Sequence, residues 1–111
     1  MSRPTVSFTT KLGTTRAGER TRIWIEGKRL VDHGFTVGTR FTRMWHKGVL
    51  TIIVCSETMF AKHGVSERGT VSGKGEKPII DITGAKVAAT FTGTHVEVSY
   101  SKGTIVIADK A

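Results

Sequence analysis

The sequence predicts a mainly β fold made of two tandem copies of one strand–loop–strand–helix–hairpin unit. First, β-branched residues dominate the apolar positions, and the 111-residue chain holds 17 threonines. Such side chains favour strands over helices. Second, apolar and polar residues alternate along several segments, as they do in half-buried strands. Third, one pattern of glycines and apolar runs occurs twice along the chain.

The repeat is clearest in the stretches "GTRFTRMWHKGVLTII" and "GTHVEVSYSKGTIVIA". Both begin with Gly-Thr and place Lys-Gly at the same offset before an apolar run. Three glycines match between the copies, namely Gly27 with Gly84, Gly38 with Gly93 and Gly48 with Gly103. A half of about 55 residues is only marginally stable alone. We therefore expect the two copies to fold together as one pseudo-dimeric domain.

Each element of the first copy has a local justification. The strand "TVSFTT" precedes the polar loop "KLGTTRAGE", and "RIWIEG" alternates with Ile23 and Ile25 on one face, which predicts a second strand. The segment "KRLVDHGF" fits about two helical turns that end with Gly34 near the C′ position. "RFTRMW" and "VLTIIV" flank "HKG", which predicts a β-hairpin whose Gly48 supplies a positive φ.

The second copy repeats this order of elements. "RGTVSGKGE" predicts a strand and a polar loop, and "PIIDITG" places Ile80 and Ile82 on one face of a strand. "AKVAATF" predicts a short helix, and "HVEVSY" and "TIVIA" flank the turn "SKG". Polar and turn-forming residues dominate between the copies. We therefore predict repeats over residues 1–55 and 69–111, joined by a linker over residues 56–68.

The charge of the chain favours a polyanionic partner. Its net charge is +8 and its pI is about 10.2. Residues 1–60 hold ten Lys and Arg against four Asp and Glu, whereas residues 61–111 hold seven against five. A basic small domain is typical of nucleic-acid binding. The alternative interpretation is a basic surface that serves solubility alone.

Targeting and redox features predict a cytoplasmic protein. No apolar window approaches the length of a membrane-spanning helix, so no membrane association is expected. The N-terminus lacks the apolar core of a signal peptide. Cys55 is the single cysteine and cannot form an internal disulfide.

The first copy resembles the swapped-hairpin proteins of the AbrB, MazE and SpoVT superfamily, and within it the SymE-type branch. The matching positions are Gly27, Leu30, Gly34, Phe35, Gly38, Gly48 and Leu50. The second copy departs from the pattern, because Thr90-Phe91 replaces the Gly-Phe pair. The resemblance implies an interleaved, swapped-hairpin β-barrel of which one chain usually supplies half. Two tandem ββαββ repeats would then let one chain form a pseudo-dimer, either as a monomer or within a homodimer.

The same resemblance implies a non-enzymatic DNA-binding protein, either a transcription regulator or a nucleoid-type factor. In that family the loop between the first two strands and the start of the helix face DNA. The residues at those positions are Lys11, Arg16, Arg20, Arg22, Lys28, Arg29, Lys74 and Lys77. The first alternative is a SymE-like toxin that acts on RNA, and the second is an antitoxin or inhibitor that binds an acidic protein.

Other residue types limit the chemistry that the chain can perform. Asn and Gln are absent, so base recognition would depend on Arg, Lys, Ser and Thr, or on DNA shape. Trp24 and Trp45 are candidates for stacking on bases, although we favour a role in plugging the barrel or covering an interface. His33 follows Asp32, but no second copy of this pair exists. No cofactor, metal site or catalytic residue is predicted.

Overall fold

The computed structural model describes residues 6–11, 22–56, 58, 68–83, 85–91 and 95–109. In the first half, the elements are β1 (Val6–Lys11), β2 (Arg22–Glu26), α1 (Lys28–Asp32), β3 (Arg40–His46) and β4 (Val49–Val54). In the second half, they are β5 (Arg68–Thr70), β6 (Ser72–Lys74), β7 (Lys77–Thr83), α2 (Ala85–Thr90), β8 (His95–Ser101) and β9 (Thr104–Asp109). The described residues therefore confirm the mainly β class.

Both sheets are built by pairing strands of one half with strands of the other. The larger sheet has the order β1-β8-β9-β4-β3-β5, and the smaller sheet has the order β2-β7-β6. The antiparallel pairs β1–β8, β2–β7, β3–β5 and β4–β9 each join the two halves. Neighbours from the same half occur in the hairpins β3–β4, β6–β7 and β8–β9. Each half therefore relies on the other for backbone hydrogen bonds.

A single hydrophobic cluster draws on both sheets and both helices. In β2 the alternation follows the sequence prediction, because Ile23 and Ile25 are buried while Trp24 and Glu26 are exposed. The strands that pair across the halves supply ten of its β-branched and leucine side chains, which are Ile23, Ile25, Leu50, Ile52, Ile80, Ile82, Val96, Val98, Ile105 and Ile107. The core is thus shared between the halves and is not divided into two.

The predicted closed barrel is not seen in the described part of the chain, where both sheets are open. The chain passes from the larger to the smaller sheet at Val71, between β5 and β6. Val71 is 1% exposed, its N–H donates to the Thr39 carbonyl at 2.8 Å, and its carbonyl accepts from the Gly38 N–H at 2.9 Å. The segment predicted as one strand and a loop is therefore two short strands in different sheets, because the buried valine anchors a bend between them.

The two helices end differently. Gly34 follows α1 with a φ of 93°, and the Phe35 N–H donates to the Leu30 carbonyl at 2.8 Å, which is the longer bond of a Schellman motif. The C′ glycine predicted from the sequence is therefore present. In the second half Thr90 replaces that glycine, yet the following Phe91 is buried like Phe35. The apolar anchor after the helix is common to both copies, whereas the glycine stop is not.

The turn between β3 and β4 has two consecutive residues with positive φ. Lys47 has a φ of 47° and Gly48 a φ of 79°. This is the backbone of a type I′ hairpin turn, which matches the right-handed twist of the flanking strands. Gly103 has a φ of 72° at the equivalent place in the β8–β9 turn. The glycines predicted to close both hairpins therefore adopt the conformation that the sequence suggests.

Several predictions fall largely outside the described residues. Most of the predicted linker over residues 56–68 is not described, and β5 begins at its last residue, Arg68. The domain boundaries therefore stay predictions. No helix in the described ranges is long and apolar enough to cross a membrane. The cytoplasmic location likewise stays a prediction.

Shared burial predicts that the chain unfolds as one unit. Ile107 in β9 is fully buried opposite Leu50 of β4, so Ile107→Ala should cost about 2–5 kcal/mol of unfolding free energy. Amide hydrogen exchange should show that β4 loses as much protection as β9. The control is Val31→Ala, since Val31 is 44% exposed and its truncation should cost within about 0.5 kcal/mol. Loss of protection confined to the second half would contradict the shared core.

Candidate nucleic-acid interface

The strand topology separates the two ends of the basic loop predicted between β1 and β2. Lys11 ends β1 in the larger sheet, opposite His95, whereas Arg22 begins β2 in the smaller sheet. Arg16 and Arg20 lie outside the described residues. The loop therefore connects the two sheets, and only its ends have a described position.

Arg22 is held by a carboxylate of the second half. Its Nε and Nη2 donate to Asp81 Oδ1 and Oδ2, both at 2.9 Å, and its guanidinium lies 4.5 Å from the centre of the Trp24 ring. The hydrogen bond to Asp81 raises the pKa of Arg22. The pairing of Arg22 with Asp81 is not evident from the sequence, because 59 residues separate the two. The β2–β7 register makes them neighbours. Arg22 thus cross-links the halves in addition to any role toward a ligand.

Lys28 and Lys77, from different halves, meet in a groove beside α1. The groove has a volume of about 380 Å³ and is lined by Gly27, Lys28, Val31, Asp32, Glu76, Lys77 and Pro78. Asp32 and Glu76 balance the two lysines, and Lys77 Nζ lies 3.4 Å from Glu26 Oε1. Lys74 ends β6 opposite Lys77 across the turn. The groove has no net positive charge from its lining and therefore does not select an anion.

Arg29 lies against aromatic side chains of the larger sheet. Its guanidinium carbon is 3.2 Å from the centre of the Phe8 ring, a cation–π contact. The Phe8 ring in turn meets Tyr100 edge to face at 6.1 Å between centroids. Tyr100 is 4% exposed, and burial raises the pKa of its hydroxyl while the charge of Arg29 opposes that shift. Arg29 therefore packs α1 onto β1 and β8.

Among the described elements, β3 and the elements beside it hold cations but no Asp or Glu. The strands β3, β4 and β5, the β3–β4 turn and α2 contain no Asp or Glu. Their five cations, which we call the basic edge, are Arg40, Arg43, Lys47, Arg68 and Lys86. By contrast, residues 22–32 and 72–83 together hold five Lys and Arg and four Asp and Glu. Among the described elements, the excess of positive charge is therefore larger around β3 than around β2, α1, β6 and β7, and the predicted loop over residues 12–21 lies outside the described residues.

Strand pairing draws the basic edge together. β5 is an edge strand of the larger sheet, and its Arg68 pairs with Thr42 of β3. Arg43 Nη2 donates to the Arg68 carbonyl at 3.1 Å, and burial lowers the pKa of the Arg43 guanidinium. An arginine stays protonated at neutral pH even so. Charge density along the chain does not reveal that β5 and α2 bring further cations next to β3.

The two tryptophans differ in their surroundings. Trp24 is 39% exposed, so the favoured interpretation, in which it plugs a core or covers an interface, is not supported within the described residues. Trp45 is half-buried and packs against the core, with its ring centre 6.3 Å from that of Phe91. For Trp45 the core interpretation holds. Phe41, Arg43 and Trp45 alternate along β3 and share its inner face, where the arginine interrupts the apolar pattern.

His33 and Glu26 have separate partners in the described part of the chain. His33 Nδ1 donates to the Arg29 carbonyl at 2.6 Å, and its ring centre is 5.3 Å from that of Tyr100. Glu26 instead contacts Lys77. Within the described ranges, no three His, Cys, Asp or Glu side chains come close enough to hold a metal ion. Burial raises the pKa of the Cys55 thiol, while Arg40 opposes the shift.

Comparison with known proteins finds no significant match. No family model matches the sequence, and no curated protein or solved structure is significantly similar to it. The family resemblance noted from the residues therefore stays a proposal. Function has to be inferred from the charges and the strand pairings.

Burial of the single tyrosine predicts a measurable pH dependence. The tyrosinate absorbance of the folded protein should titrate with a midpoint above about 10, the value expected for the unfolded chain. The neutral hydroxyl is favoured in the folded state. Its contribution to stability is therefore complete below about pH 10 and is lost as pH rises through the folded pKa. A folded midpoint at or below that of the urea-unfolded chain would contradict the burial of Tyr100.

Proposed function

We propose that this protein is a non-enzymatic DNA-binding protein of the swapped-hairpin type, a transcription regulator or nucleoid-type factor, which contacts DNA through its basic edge. The observation that carries the proposal is the group of five cations on and beside β3 with no carboxylate in the same elements. Duplex DNA carries one negative charge per about 1.7 Å of helix axis. A surface that attracts this polymer needs an excess of Lys and Arg over Asp and Glu, which the basic edge has.

The shape of the basic edge fits an extended polyanion. Arg40, Arg43 and Lys47 follow one another along β3 and its turn. A strand rises about 3.3 Å per residue, so the first and last of these cations are about 23 Å apart along the strand. Arg68 and Lys86 widen the charged strip from neighbouring elements. Arg43 faces inward beside Trp45 and Arg40 faces outward, because side chains three residues apart in a strand point to opposite faces, so each face of β3 offers cations to a bound polyanion.

The register of the strands supports a swapped-hairpin arrangement with an internal two-fold axis. Aligning Gly27 with Gly84 places Trp24 on Asp81, and aligning Gly48 with Gly103 places Thr51 on Val106. Trp24 is also the direct partner of Asp81 in the β2–β7 pair, and Thr51 is the direct partner of Val106 in the β4–β9 pair. Equivalent residues face each other where a two-fold axis crosses an antiparallel pair. The proposed two-fold axis between the halves is thus supported by two independent strand pairs.

Divergence between the halves favours one binding face over two. In the second half β8 stands in the place of β3, where His95 and Val98 replace Arg40 and Arg43. β8 also contains Glu97. Lys102 and Arg29 match Lys47 and Lys86 on the other side of the internal axis, but the changes in β8 leave that side with less positive charge than the basic edge. Arg16 and Arg20 stay predicted contacts in addition to it.

Removing charge from the basic edge should weaken the salt dependence of binding. The variant Lys47→Asn with Lys86→Ala removes two exposed cations, and asparagine tolerates the positive φ of the turn. Each lost phosphate contact lowers the logarithmic salt slope on duplex DNA by about 0.9, so the pair should lower it by up to about 2. Fluorescence polarisation of labelled duplex DNA over a salt series measures this slope.

The matched control for this experiment is Lys28→Ala with Lys102→Ala. It removes the same charge from exposed positions outside the basic edge and should change the slope by much less. Equal effects of the two double variants would show that binding follows net charge and not the basic edge. Tight binding of RNA in preference to DNA would favour the RNA-acting alternative. Nucleic-acid binding too weak to measure would remove the proposed function and favour a protein partner.

A further inference from the structure

We infer that the concavity between β3 and α2 binds a single unpaired nucleotide, with the base against Trp45 and the phosphate between Arg43 and Lys86. The inference rests on the proposed function and deepens it, because it adds to the duplex contacts of the basic edge a site for a nucleotide that is not base-paired. The concavity recognises an aromatic base that carries a phosphate. Its source is either a single-stranded segment or a free nucleotide, and the test below separates the two.

The size of the concavity suits a ligand of this kind. Its volume is about 260 Å³, and it is lined by Arg43, Met44, Trp45 and Lys86. Pockets for drug-sized ligands span about 300–1,000 Å³, so this one lies just below that range. The lining combines an aromatic ring, a thioether and two cations. A ligand that contacts these four side chains must be small, with a flat face on one side and a negative charge on the other.

The charges of the lining select an anion. Arg43 and Lys86 are both cationic, and the described lining residues include no carboxylate. Arg43 is fixed in place by its hydrogen bond to the Arg68 carbonyl, and its burial lowers its pKa. A guanidinium that has lost part of its water interacts more strongly with a nearby phosphate than one in bulk solvent. The groove beside α1 differs on this point, since its lysines are balanced by acids.

The aromatic part of the lining is held in position before any ligand arrives. Trp45 is half-buried, and its ring packs on Phe91, which is 2% exposed and fixed in the core. Stacking of a base on an aromatic side chain contributes about 1–3 kcal/mol and tolerates any base. Met44 is 45% exposed and adds a polarisable apolar rim. These contacts require an exposed base face, which a paired duplex does not offer.

The equivalent place in the second half is closed, which explains why two similar halves do not each form this pocket. Tyr100 stands in the place of Trp45 but is only 4% exposed, beneath the rings of Phe8 and His33. Val98, in the place of Arg43, is fully within the core. The positions that line an open, cationic site in one copy are therefore covered and apolar in the other.

The test uses the full chain with Trp24→Phe, which leaves Trp45 as the single tryptophan of a protein that has two. Tryptophan fluorescence is followed while a short single-stranded oligonucleotide, a duplex of the same sequence or a nucleoside monophosphate is added. We expect saturable quenching by the single strand. Lys86→Ala should weaken that binding by about tenfold or more, the effect of one lost charge-assisted hydrogen bond. Lys102→Ala, at an exposed turn, should leave it unchanged.

Each outcome separates this inference from the proposed function. Duplex binding by polarisation without Trp45 quenching by any single strand would overturn the pocket and leave the proposed function intact. Quenching by the monophosphate, with no polymer bound, would keep the pocket and overturn the proposed function. Equal losses from Lys86→Ala and Lys102→Ala would also overturn the pocket. Lys86 is exposed on α2, so its truncation tests the site without disturbing Trp45 in the core.

Discussion

The pairing of β4 with β9 is the constraint on which the rest of the structure depends. These strands lie at the centre of the larger sheet and join the hairpin β3–β4 of the first half to the hairpin β8–β9 of the second. Leu50, Ile52, Ile105 and Ile107 along this seam are fully buried. Since β2 and β7 make the same kind of link in the smaller sheet, neither half has a core of its own.

In the proposed duplication, two copies in one chain are free of a restriction that a homodimer must obey. In a homodimer, the strand position on the two-fold axis faces its own copy. Here Trp24 faces Asp81, and that asymmetry allows Arg22 to form its bidentate bond with Asp81 across the halves. Two aspartates facing each other would repel. The same freedom accounts for a basic edge on β3 opposite a mixed β8, and for an open pocket at Trp45 opposite a closed one at Tyr100.

Local patterns in the sequence were enough to predict the strands, the hairpin turns and the glycine that ends α1. Ile23 and Ile25 alternate with exposed residues, and Gly48 has the backbone that its turn requires. What failed depends on long-range neighbours. The bend at Val71 follows from burial between two sheets, and the approach of β5 and α2 to β3 arises only in the folded chain. The site predicted in the loop between β1 and β2 stays a prediction, because Arg16 and Arg20 lie outside the described residues.

The two halves interleave within one molecule, and proton contacts between paired strands test this arrangement. Nuclear Overhauser spectra of a sample mixed from labelled and unlabelled protein distinguish contacts within a chain from contacts between chains. The register predicts backbone contacts between Thr51 and Val106, and between Trp24 and Asp81, within a single chain. The absence of both sets, or their presence solely between chains, would contradict the account.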